Sequence, residues 1–252
     1  MKQNKVRTYF LYAFGEILLV MVGILLALQV NNWNEQRKEN EREKTYLSLL
    51  LQDIQTDREF YELNIEFYKI VLESGTQFLS HTAGDVETEN SNWELLVAAF
   101  HASQIWPVIL RRATYDELQS TGDLSIIDNA KLRNRLGYYY GGGSNRYNST
   151  IGINPPYRKL SRMMIPYDII DYMWDECHET IGDIQHLLDC ESIISEEEAA
   201  IHLNKLINDD ELIGELSFFM SAIKGGFEPL YEQYRLSEEI IVEVESSLGV
   251  ID

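Results

Sequence analysis

Residues 9–30 read YFLYAFGEILLVMVGILLALQV, an apolar run with one ionisable side chain, Glu16. Its 22 residues extend about 33 Å as an α-helix, which is enough to cross the hydrocarbon core of a bilayer. Aromatic residues crowd its first end and Trp33 follows its second, a distribution typical of the two membrane interfaces. We therefore predict one transmembrane helix over residues 9–30, preceded by a short tail at residues 1–8.

The residues after this run favour an uncleaved signal anchor over a cleaved signal peptide. The chain continues from Leu28 as Gln29-Val30-Asn31, which offers no small-residue cleavage site. Basic residues flank the run on both sides, and those before it lie closer to it. Because long domains translocate largely regardless of charge, we expect the N-terminus in the cytoplasm and the large domain outside.

Glu16 lies within the apolar run or at its boundary, where a carboxylate is costly and usually faces protein or water. At about 100° per residue, Val20, Gly23 and Ala27 fall within roughly 40° of Glu16 on the helix. Gly23 and Ala27 form a pair of small residues that lets another helix approach closely. We predict a helix–helix interface here, with a second copy or another membrane protein. The alternative is a carboxylate near the head groups, with small residues there by chance.

The charge of the chain is unevenly distributed. The formal net charge is −20, yet residues 1–44 contain seven Lys/Arg and five Asp/Glu, a net +2, so residues 45–252 carry −22. An acidic domain of this size repels phosphate backbones, and we expect no nucleic-acid partner.

The rest of the chain favours an all-α fold. A polar helical linker at residues 31–46 is expected to continue the membrane helix into an acidic helical domain at residues 47–252. Apolar residues then recur in steps of four and three, with Arg58 as the only break. This seam comprises Leu47, Leu51, Ile54, Arg58, Tyr61, Ile65, Tyr68 and Leu72. Further apolar residues widen the face, which favours burial in a helical bundle over an isolated coiled coil.

The remaining helices follow from capping and turn signals. Gly122 is expected to end a helix, Asp128 or Asn129 to begin the next, and Ser195 to cap another. The predicted helices cover residues 93–106, 131–136, 157–188, 195–207 and 210–248, and no segment is typical of a strand. We expect a loop near residues 81–90 and a flexible stretch from the tyrosines at 138–140 to Pro155-Pro156. Those tyrosines are expected in the core rather than in a ligand-facing patch.

No residue pattern predicts catalysis, a metal site or a cofactor. Cys177 and Cys190 are the only cysteines, and on one helix they would lie about 20 Å apart, so we expect two buried free thiols. The alternative is a disulfide, if Gly182 breaks that helix. His178, Asp183 and His186 lack the spacing of a zinc or two-metal site. They leave a helical metal-dependent enzyme as a minor alternative.

Two blocks of sequence resemble a known family. Residues 12–20 (YAFGEILLV) and 23–35 (GILLALQVNNWNE) form the first, and residues 115–128 (YDELQSTGDLSIID), 132–136 (LRNRL) and 138–140 (YYY) form the second. They resemble a family of uncharacterised bacterial single-pass membrane proteins, classed as a domain of unknown function. The resemblance implies an architecture and a bacterial inner-membrane location, with the domain in the periplasm, but no activity. It makes Gly15, Glu16, Gln29 and Trp33 look like family features.

Together these features predict a membrane-anchored, non-catalytic helical interaction or sensory module. A different hypothesis is an accessory subunit of an ion-coupled membrane complex, in which Glu16 carries a proton or an ion beside a channel partner. The layout of a short tail, one helix with a carboxylate and a large outer domain favours it. The absence of α/β patterning in the outer domain disfavours it.

Overall fold

The computed structural model describes residues 3–83, 90–151 and 154–250, with side chains described from Phe14 onward except at 143–146 and 150. The predicted tail is thus only partly covered, and the loop expected near residues 81–90 lies mostly outside the described residues. The helices are α1 (Gln3–Ala83), α2 (Asn92–His101), α3 (Ala113–Thr121), α4 (Ala130–Tyr138), α5 (Ser144–Ile151), α6 (Pro156–Met164), α7 (Tyr167–Glu176), α8 (Glu196–Ile207) and α9 (Asp210–Leu248). The strands β1 (His178–Ile181) and β2 (Ile184–Leu187) form one antiparallel hairpin.

The long helices α1 and α9 form the backbone of the bundle. α1 runs for 81 residues, about 120 Å, without a proline to interrupt it. α9 packs along its second half in the opposite direction, as shown by Met220 near the start of α9 lying against Gly75 near the end of α1. A Cβ at Gly75 would lie 2.1 Å from the Met220 sulfur, so the missing side chain lets the two helices approach closely.

The apolar seam of α1 is buried as predicted. Leu47, Ile54, Tyr61, Ile65 and Tyr68 are all at most 5% exposed. The other three seam residues, Leu51, Arg58 and Leu72, are partly buried. α9 and α2 cover this face, together with Tyr147 of α5. The seam therefore serves as the centre of a bundle rather than of a two-stranded coil.

Three predicted caps are confirmed. Gly122 ends α3 in the left-handed conformation, with φ of 78°. The Asn129 side chain accepts hydrogen bonds from the N–H groups of Lys131 and Leu132 at the start of α4. The Ser195 hydroxyl accepts from the Glu198 N–H at the start of α8. Local sequence is sufficient at these ends because the capping groups are within four residues of the helix.

The helix predicted over residues 93–106 ends earlier, at His101. After a turn at residues 102–103 the chain has no regular secondary structure up to Arg112, and side chains of α1 bind its backbone. The Tyr68 hydroxyl accepts from the Trp106 N–H at 2.8 Å, and the Asn64 amide donates to the Trp106 carbonyl at 2.7 Å. Because distant side chains satisfy these backbone groups, the segment does not need helical hydrogen bonds.

The stretch expected to be flexible after Tyr138 continues as helix instead. A π-helical turn at Tyr139–Gly143 joins α4 to α5. Tyr139, Tyr140 and Tyr147 are at most 1% exposed, whereas Tyr138 is 55% exposed. The Tyr147 hydroxyl donates to Asn64 at 2.9 Å. Burial of these rings against α1 outweighs the low helix propensity of the glycines between them. The expectation of a core role is thus met by Tyr139 and Tyr140.

The predicted helix over residues 157–188 is wrong in its second half. Pro166 separates α6 from α7, and α7 ends before Cys177. The hairpin follows, and Gly182 takes a φ of 63° in its turn, a conformation that favours glycine. The chain therefore doubles back, and the Cα atoms of Cys177 and Cys190 lie 5.1 Å apart in a disulfide. The expectation of free thiols is corrected by this turn.

The disulfide is expected to stabilise the bundle, because it closes a loop with a sequence separation of 13 residues. A loop of this length contributes roughly 3 kcal/mol by restricting the unfolded chain. The Cys177→Ala/Cys190→Ala variant should therefore show a lower urea midpoint than the wild type. Reductant should lower the wild-type midpoint to the same value and leave the variant unchanged. A wild-type midpoint that is insensitive to complete reduction would contradict the expected contribution.

Candidate functional site

No part of the chain that the structure describes packs around the apolar segment of α1. Among the described residues, α1 is the helix that is long and apolar enough to cross a membrane, and its best 18-residue window has a mean hydropathy of 2.0 with none of the window buried. Phe14, Leu19 and Leu25 are each more than half exposed. The apolar core helix of a soluble protein would be covered, and a large exposed apolar surface marks contact with a membrane or a partner. The segment thus meets the requirements of a membrane anchor.

Glu16, Val20, Gly23 and Ala27 lie on one face of this segment and are all exposed. A Cβ added at Gly23 would meet no atom within 4 Å, so the groove at this glycine is open. None of the described residues covers the face. The four residues share a surface that another helix can approach, and their role as an interface stays a prediction.

The polar linker at residues 31–46 is helical, as part of α1, and mostly exposed. Its end is fixed to the bundle by three long-range hydrogen bonds. Arg42 donates to Asp123 at 2.9 Å, the Glu43 carboxylate accepts from the Asp128 N–H at 2.7 Å, and the Tyr46 hydroxyl donates to Glu117 at 2.9 Å. Because the helix is continuous, it connects the apolar segment to these contacts without a break.

A buried carboxylate lies further along α1. Asp57 is 1% exposed, and it accepts hydrogen bonds from the Arg111 N–H at 2.8 Å and from the Tyr139 hydroxyl at 3.0 Å. Burial raises the pKa of Asp57 from 3.8 to about 7, because the charged form loses its water; the two hydrogen bonds lower it, and nearby Asp53 raises it. The protonation state of Asp57 therefore changes near neutral pH.

The sequence pattern did not identify Asp57. It marked the neighbouring Arg58 as the break in the apolar seam, and the structure leaves Arg58 only partly buried. Asp57 and Asn64 alternate with the seam residues Tyr61 and Tyr68 in steps of four and three. This spacing places Asp57 and Asn64 on the buried side of α1. Helical periodicity is therefore the sequence signal that could have identified Asp57.

A cavity of about 520 Å³ lies beside Asp57, between α1, the irregular segment 104–112 and the tip of the hairpin. Phe60, Trp106 and Ile109 contribute apolar surface to it. At its mouth the Arg111 guanidinium pairs with the Asp183 carboxylate at 3.1 Å. A concave, largely apolar surface with a few polar groups is suited to a small ligand, and the extramembrane domain thus offers a candidate ligand site.

The hairpin separates the residues of the weak metal pattern. In its register Glu179 faces His186 and His178 faces Leu187, so His178 and His186 lie on opposite faces. Asp183 is in the turn and binds Arg111. Among the described residues, no group of three or more His, Cys, Asp or Glu is placed to hold a metal ion.

Comparison with known proteins identifies the family. Residues 16–147, just over half of the 252 residues, match the Family of unknown function (DUF6090). The chain belongs to this family. The DUF6090 match begins at Glu16 in the apolar segment and covers the rest of α1 and the bundle as far as Tyr147. No curated protein and no solved structure matches the chain.

The match places much of the site described above within the DUF6090 region. It includes the Glu16 face, the linker contacts, Asp57 and the cavity wall formed by α1 and segment 104–112. The hairpin, which supplies the other wall, lies after it. The family has no assigned activity, and a function depends on the residues of a site rather than on the fold.

Replacement of Asp57 by Asn should change how the stability of this DUF6090 protein depends on pH. Because the folded pKa of Asp57 is raised, the folded state binds its proton more tightly than the unfolded chain does. The wild type should therefore lose stability relative to Asp57→Asn as the pH rises from 3.8 through about 7. The relative loss should reach roughly 4 kcal/mol and stay constant at higher pH.

Urea unfolding across this pH range measures the difference between the two proteins. The exposed Asp168→Asn variant is a control for the loss of one carboxylate at the surface. If the curves of the wild type and Asp57→Asn stay parallel from acid to alkaline pH, burial does not raise the pKa of this carboxyl.

Proposed function

We propose that the protein is a membrane-anchored, non-catalytic interaction or sensory module. Its apolar helix pairs with another membrane helix through the Glu16–Val20–Gly23–Ala27 face, and its acidic helical domain binds a ligand or a protein outside the membrane. The observation that carries the proposal is the continuity of α1. One helix exposes an apolar segment at one end and forms the centre of the folded bundle at the other.

Three properties of the site support pairing at the Glu16 face. The open groove at Gly23 lets two backbones approach closely. A carboxylate in or near a bilayer is less costly when a neighbouring helix shelters it. The rest of the segment exposes large apolar side chains that suit lipid. We propose a second copy of the chain as the partner, because the same small-residue groove is then present on both helices.

The disulfide supports the proposed orientation. Disulfides persist in oxidising compartments and are rare in the cytosol. The Cys177–Cys190 bond therefore favours a domain in the periplasm of a bacterial cell, with the N-terminus in the cytoplasm. The acidic charge of the domain also suits a location away from anionic head groups and nucleic acids.

Single-cysteine crosslinking in native membranes tests the helix pair. The native cysteines stay in place, because their disulfide leaves them without free thiols. We expect Gly23→Cys and Ala27→Cys to give covalent dimers. Matched controls at Leu18 and Leu25, which lie about 180–200° from Glu16 around the helix, should not.

The pattern of crosslinks distinguishes the occupants of the face. Crosslinks of Gly23→Cys to a different protein would mean that the partner is another membrane helix and not a second copy of the chain. Equal crosslinking at all four positions, or none at any, would overturn the proposed interface and reduce the segment to an anchor.

The orientation is tested with a membrane-impermeant maleimide on intact cells. Asn40 is exposed in the linker, so Asn40→Cys should be labelled without disrupting the bundle. Gln3→Cys, before the apolar segment, should be protected until the membrane is permeabilised. The reverse pattern would place the acidic domain in the cytoplasm.

The accessory subunit of an ion-coupled complex is a second candidate function, because the Glu16 side chain is exposed within the apolar segment. In that case Glu16 would carry a proton or an ion next to a channel partner. A Glu16→Gln variant separates the two functions. If the protein is an interaction module, the variant should retain dimer crosslinking at Gly23. If the protein is a subunit of an ion-coupled complex, the variant should abolish the activity of that complex.

A further inference from the structure

Two arginines in α6 have unusual surroundings for such an acidic domain. Arg158 and Arg162 are partly buried, and within the described residues neither has a carboxylate in ion-pair distance. The chain nevertheless carries a net charge of −20. Charged side chains that leave water are usually paired with an opposite charge. These two lie one helical turn apart, where like charges repel.

Polar contacts hold the two guanidinium groups beside the turn after α2. Arg158 donates to the Ser103 carbonyl at 2.7 Å and to the Gln104 side-chain oxygen at 3.1 Å. Arg162 donates to the Ser103 hydroxyl at 3.3 Å. None of these acceptors carries a negative charge, so the contacts orient the two cations without neutralising them.

Aromatic rings form the other side of this cluster. The Arg162 guanidinium lies 4.8 Å from the centre of the Trp174 ring and 5.1 Å from that of Phe100. Arg158 lies 5.9 Å from the Trp174 ring. Such contacts stabilise a cation and fix its plane. The His178 ring packs against the edge of Trp174 with centres 4.5 Å apart.

Two donors of the cluster lack acceptors. The Arg162 Nε atom and the Gln104 Nε2 atom are both buried without a hydrogen-bond partner in the described part of the chain. Gln104 is 1% exposed, and its amide oxygen already accepts from Arg158, so its nitrogen is the end left unpaired. A buried donor without an acceptor costs free energy. The cluster therefore has a surplus of both positive charge and N–H groups.

We propose that Arg158, Arg162 and Gln104 form a binding site for a small oxyanion, a phosphate or a carboxylate group. An oxyanion supplies the negative charge and the acceptor oxygens that the cluster lacks. Planar guanidinium groups bind such oxygens through paired N–H bonds, and the rings of Phe100 and Trp174 hold them in place. The site is separate from the Glu16 face and does not depend on the proposed function.

His178 provides a reporter for occupancy of the site. Burial lowers its pKa, the hydrogen bond with Gln185 raises it, and Arg162 and Arg158 lower it further by charge repulsion. A bound anion offsets the charge of the two arginines, so it should raise the pKa of His178.

The experiment titrates full-length protein in detergent with inorganic phosphate and, separately, with succinate, at constant ionic strength set by sodium chloride. We expect a saturable rise in the thermal midpoint with one of the two anions, because a ligand that binds the folded state stabilises it. Arg162→Gln should abolish the rise. Arg235→Gln should retain it, because Arg235 is an exposed arginine paired with Glu228.

Nuclear magnetic resonance of the wild type gives a second measurement that does not depend on folding of the variant. The pKa of His178 should be higher in the stabilising anion than in chloride. Phosphate and succinate distinguish the two oxyanion chemistries. The site would be overturned if neither anion raised the thermal midpoint saturably and the pKa of His178 stayed unchanged. An equal rise in the thermal midpoint of Arg162→Gln would also overturn it.

Discussion

The continuity of α1 is the constraint on which the rest of the structure depends. One helix exposes apolar side chains at its first end, exposes polar side chains in the linker and buries one face in a protein core beyond Leu47. Backbone hydrogen bonds are satisfied within the helix in all three parts, so only the side chains change. The exposed side chains of α1 are apolar before the linker and polar within it. In the bundle only part of the helix circumference is exposed.

In the bundle α1 binds its neighbours through polar as well as apolar groups. Asp57 and Asn64 are almost completely buried, and together they hold the irregular segment after α2 and the tyrosines after α4. Buried polar groups are costly unless they are paired, and pairing restricts their neighbours to a single arrangement. The irregular parts of the chain are therefore ordered by the same helix that forms the apolar core.

The charges of the domain divide into two kinds. Exposed pairs such as Arg235–Glu228 contribute little to stability because water screens them. The informative charges are Asp57, whose pKa is raised by burial, and Arg158 with Arg162, which lack an acidic partner among the described residues. These groups lie beside a cavity or among aromatic rings, which are features of binding surfaces rather than of solvated ones.

The sequence by itself determined the apolar segment, the buried seam of α1, α9 and the caps at Gly122, Asn129 and Ser195, because each depends on residues within a few helical turns. It also placed Glu16, Val20, Gly23 and Ala27 on one face by helical periodicity. Only the tertiary structure decided the burial of Asp57, the end of α2, the ordering of Tyr139 and Tyr147, and the cluster at Arg158. These depend on partners between 38 and 83 residues away, which no local pattern specifies. The disulfide belongs with them, since a two-residue turn at Gly182 brings together cysteines that a helix would hold apart.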